Sequence, residues 1–372
     1  MQSLAFLWFD MQMTQRYLSE KTFASAPSPG NSANLNGPTG VSRGIGNSIV
    51  HKLLRQGERV ARSVPKPNGL SANLVKASPR GLASLAARAL VEEAELTPKP
   101  ALVDGRGSGA QPDLSLGLMR RSAQCLAPFF ELMALTSLEQ IPTQTLREDL
   151  GTIGRWAEHA VLGCTGQVNN YRGAIWFLGL LVSAAAMGAA SPEAIVETAR
   201  QLACLPDSNA PLQSQGLQAA GQYKVTGARG EARAGFPSVI AAGLPRLRLS
   251  RQVDDSETLA RLNALLAIMT RLDDSCLLDR GGPAALETAQ DGAASILEAG
   301  GVATREGWRL LQQLDHDLLI LNGSPEGSAD MLSATIFLDY VSRNKELKYK
   351  DSFTGSESKK PNGASGRTIF IL

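Results

Sequence analysis

Five glycine-bearing segments break a helical pattern, and they constrain this chain more than any other feature. They are residues 97–110 with Asp113 just beyond, 165–176, 227–237, 273–282 and 322–332. Between them apolar residues recur at helical spacing. Leu82, Leu85 and Leu90 predict a helix to about Glu95, and another starts near Leu114 and runs into the 130s. Leu259, Leu262, Leu266 and Met269 form one stripe, and Trp308, Leu311 and Leu318 lie on a further helix. Start signals agree. Ser191-Pro192 sets a capping residue before a proline at the first helical position; Asp254 with Glu257 has capping-box spacing; Thr304 can cap the helix that carries Trp308. No useful strand alternation occurs. Aromatics are only 5% of residues, a composition that favours helix over sheet. The expected fold is all-α: a multi-helix globular domain with glycine-rich functional loops, flanked by poorly structured termini.

The termini separate by composition. Residues 1–80 show no sustained period, and Pro, Gly, Asn and Ser cluster at 26–38 and 63–73; this segment reads as loosely structured. Residues 81–338 form the helical domain and 339–372 a polar, basic tail. Net charge is +2 overall, but residues 1–80 carry +7, residues 81–335 carry −8 and the rest +3. An acidic centre excludes a nucleic-acid groove there, and the basic ends resemble solvated tails. The four cysteines, Cys125, Cys164, Cys204 and Cys276, are far apart in sequence, which fits a reduced cytoplasmic setting rather than a metal cluster. Asp10 interrupts the apolar N-terminus and no cleavage site follows, so no signal peptide is read. Residues 173–190 run 18 positions without a charge, the lower edge of a membrane-spanning length. Their Gly and Ala content points to a buried central helix, and no membrane association is expected.

The interrupting segments have the makings of a polyanion site. Glycine lets backbone approach a ligand, helix-start N–H groups favour anions, Arg and Lys donate to phosphate oxygens and carboxylates can hold Mg²⁺ beside a polyphosphate. A single glycine turn is usually only a turn, whereas five are more than short bundle connections need. His51, His159 and His316 lie outside these segments and read as ordinary surface or core residues.

Six stretches, in order, resemble the triphosphoribosyl-dephospho-coenzyme A synthase family of citrate lyase and malonate decarboxylase prosthetic-group synthesis. TPKPALVD resembles that family's TPKPGLVD, and SGAQPD its SGAH-x-D. TGQVNNYRGAIW resembles TGGVNTH[KR]GAI, RGEARAGFP resembles RGEA-x-x-GFP, DDSCLLDRGG resembles D[ST]N-x-L-x-RGG, and NGSPEGSADML resembles N-x-SPGGSADLL. The match spans roughly residues 81–338, and RGAIW leans to the malonate decarboxylase branch. The resemblance implies a helical transferase that joins ATP to 3′-dephospho-coenzyme A. The 2′-hydroxyl of the dephospho-coenzyme A ribose attacks C1 of the ATP ribose, adenine leaves, and the product passes to a carrier-protein transferase. Such a site needs phosphate donors, a base, a proton for adenine, and negative charge near the oxocarbenium. Carried onto this chain, Lys99, Arg172, Arg229 and Arg280 would hold phosphates, while Ser108, Asn169 and Ser328 orient ribose or phosphate oxygens. Asp104 and Asp113 would act as base or oxocarbenium stabiliser, Glu231 would join the catalytic set, and Asp274 and Asp330 would hold Mg²⁺.

The chain departs from that pattern at Ala101, Gln111, Gln167, Asn170, Tyr171, Cys276 and Glu326. Both motif histidines are replaced, by Gln111 and Tyr171, neither a cation near neutrality. Two further readings stay open. One is a member of the family that binds nucleotide without turnover. The other is a short-chain dehydrogenase, since residues 39–60 resemble its TGxSRGIG loop and helix. That motif needs a preceding strand, whereas the residues before it are NSANLNGP, and Tyr17 with Lys21 precede the glycines in the wrong order.

Overall fold

The structure is a computed structural model that describes residues 78–354 except 169, 211–217, 219–220 and 255, with side chains as far as 343. The chain divides into two units, Met1–Ile45 and Gly46–Leu372, and every described residue belongs to the second. The dehydrogenase-like glycine motif lies outside the described residues.

Among the described residues the architecture is all-helical: α1 (Pro79–Glu95), α2 (Leu116–Ser137), α3 (Gln144–Thr165), α4 (Arg172–Ala186), α5 (Pro192–Cys204), α6 (Gly227–Arg233), α7 (Leu244–Val253), α8 (Glu257–Met269), α9 (Ser275–Glu298), α10 (Arg305–Ile320) and α11 (Glu326–Thr354). A π-helical turn, Val239–Gly243, leads into α7. Most helices start where the sequence offers a hydroxyl or carboxylate to the free N–H groups of a first turn. Ser78, Ser115, Thr143, Ser191 and Thr304 all cap in this way, as expected for Ser191 and Thr304. The expected cap at Asp254 is displaced: Ser256 caps α8, accepting from the Leu259 N–H, while Asp254 accepts from the Ser256 N–H at 2.7 Å. Ser256 stands immediately before the helix, so its short side chain reaches the first turn and Asp254 supports it.

Helix α4 is the hub. It packs against α1, α2, α3, α5, α6 and α11 and buries residues on all sides, among them Ile175, Phe177, Leu178, Leu181 and Val182. The uncharged run is therefore an interior helix, and no described helix is long and apolar enough to cross a membrane. Phe177 meets Phe236 edge-on, with ring centroids 5.9 Å apart. That contact pins the segment after α6 to the hub.

Several segments expected as loops are largely helix starts. Residues 227–233 form α6, 275–282 open α9 and 326–332 open α11. Gly230, Gly281 and Gly327 pack close against neighbouring atoms, whereas Gly227, Gly235 and Gly282 take positive φ; at Gly282 φ is 69°, Pro283 follows and α9 kinks. The last helix continues through Thr354, past the composition boundary at 338.

Candidate active site

One cavity of about 520 Å³ lies where α1, α3, α4, α6, α9 and α11 converge. Of the residues singled out from the sequence, Lys99, Asp113, Arg172, Arg229, Glu231, Asp274, Arg280 and Asp330 line it. Asp104, Ser108 and Ser328 do not, and Asn169 lies outside the described residues.

The first loop explains why Asp104 is absent. Its buried carboxylate accepts from the backbone N–H groups of Lys99 at 2.9 Å and Arg106 at 2.7 Å and pairs with the Arg106 guanidinium. Arg106 and the Ala101 N–H both reach Asp315 on α10, each at 2.7 Å. Gly109 closes the loop at φ 58°, and a Cβ there would sit 2.4 Å from the Ala101 carbonyl oxygen. Both oxygens of Asp104, expected from the sequence as base or oxocarbenium stabiliser, are thus engaged within the loop. Ser108 serves the same loop, its carbonyl accepting from the Gln111 N–H at 3.1 Å.

That loop presents Lys99 to the cavity already paired. Its Nζ lies 2.5 Å from Glu93 Oε1 and 2.8 Å from the Glu93 carbonyl, and both side chains are 3% exposed or less. Lys99 is thus half of a buried ion pair, and Glu93, on a plain helical stripe, carries no motif that would mark it.

Asp274 and Ser328 form a second positioning unit. Asp274 Oδ1 caps α9, accepting from Cys276 at 3.0 Å and Leu277 at 3.4 Å, and takes the Gly327 N–H at 3.3 Å. Its Oδ2 accepts from the Ser328 N–H at 2.8 Å and hydroxyl at 3.0 Å. One carboxylate thereby clasps the first turns of α9 and α11. Both oxygens of Asp274, expected from the sequence as a Mg²⁺ ligand, thus accept from protein donors.

Asp330 is different. Its carboxylate lies against Gly173 in the first turn of α4, where a Cβ would come within 1.9 Å, and α4 has no side-chain cap. Burial, Glu93, Glu326 and Asp274 together push its carboxyl well above the usual carboxylate range. A group held neutral by burial and neighbouring carboxylates becomes an anion when a cation arrives. Among the described residues no three His, Cys, Asp or Glu side chains sit close enough to cage a metal. Asp330 lines the cavity as a single carboxylate, the kind of donor that Mg²⁺ takes together with substrate phosphates.

Two departures from the family pattern meet each other. Glu326 lines the cavity and accepts a hydrogen bond from Gln111; burial, ahead of nearby Asp274 and Asp279, pushes its carboxyl up to about 7, against the pull of Arg280. Arg280 Nη1 stands 3.8 Å away, and its Nη2 donates to the Ala110 carbonyl at 2.6 Å. Tyr171, in place of the other histidine, is buried with its hydroxyl 3.5 Å from the Leu90 carbonyl. Burial first, then Glu93 and Asp330, raise it so far that it stays a neutral phenol. Glu231 is raised mainly by burial, although the Ser238 N–H donates to it at 2.8 Å.

Arginines also line the cavity. Arg172 makes a two-pronged contact with Glu158, at 3.0 and 3.3 Å, and Arg229 has no ion pair among the described residues. Arg147, Arg155 and Asp207 also line the cavity and belong to no glycine segment. The signal that could have found them is a stripe on α3, where Arg147, Gly151 and Arg155 follow one another at intervals of four.

Comparison with known proteins agrees with this arrangement. Residues 79–349 match the family described as ATP:dephospho-CoA triphosphoribosyl transferase. A probable 2-(5''-triphosphoribosyl)-3'-dephosphocoenzyme-A synthase of Pseudomonas fluorescens (strain Pf0-1) is 51% identical over 270 residues, 71% of this chain and 92% of that protein. The 2-(5''-triphosphoribosyl)-3'-dephosphocoenzyme-A synthase of Klebsiella pneumoniae is 49% identical over 263 residues, 70% of this chain and 94% of its own length. No solved structure matches. With a family match across most of the chain and relatives near half identity, this protein belongs to the ATP:dephospho-CoA triphosphoribosyl transferase family.

Proposed function

We propose that this protein makes 2′-(5″-triphosphoribosyl)-3′-dephospho-coenzyme A from ATP and 3′-dephospho-coenzyme A, releasing adenine. The observation that carries this reading is one cavity lined both by arginines, among them Arg172, Arg229 and Arg280, and by carboxylates that burial raises, Glu231, Glu326 and Asp330. Polyphosphate needs the first; a ribose that develops oxocarbenium character needs the second.

The 2′-oxygen bonds to C1 of the ATP ribose as the bond from C1 to adenine breaks, and the hydroxyl proton is balanced by one delivered to adenine. Glu326 and Glu231 are the candidate proton carriers: Glu326 is raised to about 7, where a carboxyl can both give and take a proton at neutral pH, and burial raises Glu231. Asp113, exposed at the cavity mouth, and Asp330 supply negative charge. Asp104, Asp274 and Ser328 act through the backbone they position. Arg172, Arg229 and Arg280 hold phosphates, and Lys99 keeps Glu93 in place beside Asp330. Mg²⁺ would be held by Asp330 together with the triphosphate and would neutralise phosphate charge. The RGAIW segment at the start of α4 supports a product destined for the malonate decarboxylase carrier-protein transferase.

Adenine release from ATP, followed by chromatography with and without dephospho-coenzyme A and Mg²⁺, tests the reading. Release that requires both supports it. Binding of both nucleotides without release would instead favour a non-catalytic family member, the reading to which Gln111 and Tyr171 lend weight.

A further inference from the structure

Two arginines of α3 converge on one carboxylate oxygen from a neighbouring segment. Arg147 Nη1 and Arg155 Nη1 share a single acceptor, Asp207 Oδ2, at 3.4 and 2.9 Å. Asp207 reaches it only because residue 151 is glycine: a Cβ there would lie 2.1 Å from that oxygen. The segment carrying Asp207 is tied down on both sides, by Gln144 donating to the Pro206 carbonyl at 2.8 Å and Ser208 donating to Glu148 at 2.7 Å. Arg147 is only 6% exposed, stacks over the Trp176 ring at 4.7 Å, and leaves its buried Nε without a partner. Burial first, and then Arg155, Arg229 and Arg233, work against its charge. Asp207 thus faces both α3 guanidiniums, with Glu148 also near Arg147, and among the described residues Arg229 has no ion pair.

We infer that Arg147, Arg155 and Arg229 form the polyphosphate-binding pole of the cavity, with Asp207 and Gly151 as the positioning pair that fixes the two α3 guanidiniums. A shared carboxylate oxygen orients both arginines while leaving several N–H donors unfilled, which is what a multivalent anion needs. Burying Arg147 over an indole holds its charge in a poorly solvated setting, where an incoming phosphate gains most. The chemistry is a polyphosphate chain, supplied either by the triphosphate of ATP or by the pyrophosphate of dephospho-coenzyme A. The ligand class rests on the function proposed above, but the binding test does not require turnover.

The test is calorimetric binding of inorganic tripolyphosphate and of pyrophosphate to the full chain and to R155Q, R229Q and G151A. Arg155 and Arg229 are partly exposed, so their variants keep the fold, and G151A alters geometry at constant charge in a helix that favours alanine. The expected result is about tenfold weaker binding of at least one anion in each variant, roughly one lost charged contact, with unchanged circular dichroism. KM measured separately for ATP and dephospho-coenzyme A then assigns the source, rising for whichever nucleotide places its phosphates here. Wild-type affinity in R155Q and R229Q, or no binding of either anion by the wild type at millimolar concentration, overturns the inference. If adenine is never released but anion binding still depends on these residues, the proposed reaction fails and the pole stands.

Discussion

Replacing Asp274 with alanine separates a positioning carboxylate from a metal ligand. Three of its hydrogen bonds are short: the Cys276 N–H at 3.0 Å and the Ser328 N–H and hydroxyl at 2.8 and 3.0 Å. Alanine would strip the α9 cap and leave buried donors on α11 unpaired. An orphaned buried donor costs about 1–3 kcal/mol and a lost N-cap about 1 kcal/mol. Against this, burial already raises the Asp274 carboxyl, so removing it relieves a desolvated charge. A net loss of about 3 kcal/mol follows, equivalent to a Tm drop of roughly 6–10 °C for a domain of this size. Asp274→Asn keeps one acceptor oxygen and should lose about half as much. Thermal unfolding by circular dichroism, with and without Mg²⁺, is the assay. An Asp274→Ala protein that melts like the wild type but whose adenine release no longer responds to Mg²⁺ would refute the reasoning and restore the metal role.

Lys99→Met leaves Glu93 buried without its cation and should destabilise the fold by about 3–5 kcal/mol, whereas Lys99→Met with Glu93→Gln should recover most of that; urea unfolding of both variants checks the pair. Asp330→Asn should fold normally and lose the Mg²⁺ dependence of ATP binding by calorimetry, since no side-chain hydrogen bond ties Asp330 to the described residues. Glu326 gives a pH prediction. Its folded carboxyl is raised to about 7, so its stabilising contribution is complete below about pH 4.5 and fades as pH rises through 7. Its side chain is 34% exposed, so solvent softens the effect. Glu326→Gln should therefore gain Tm relative to the wild type between pH 5 and pH 8, and an equal difference at both pH values would contradict the assignment.

The fold was legible because helix starts and apolar stripes are local signals: Ser191, Thr304 and the α8 stripe behave as their spacing predicts. The site was legible in its outline, since glycine beside a charged residue marks places where helix ends crowd together. What sequence could not give was the direction of each side chain. Asp104 and Asp274 stand in the most distinctive segments yet face backbone donors, because tight turns and helix first turns leave N–H groups that a nearby carboxylate satisfies at once. Glu93 and Arg147 reach the cavity from ordinary helical stripes, and Asp207 acts through contacts with Arg155 and Arg147, 52 and 60 residues away. The proximity of Cys125 and Cys164, with sulfurs 2.9 Å apart on α2 and α3, was hidden by their 39-residue separation in the same way.

The mass of the product formed from ATP and dephospho-coenzyme A tests the central claim most directly. Condensation at C1 of the ATP ribose predicts one nucleotide product whose mass is the sum of both substrates less adenine, with one free adenine per product. A product carrying adenine from both substrates, or phosphate release in place of adenine, would contradict the account.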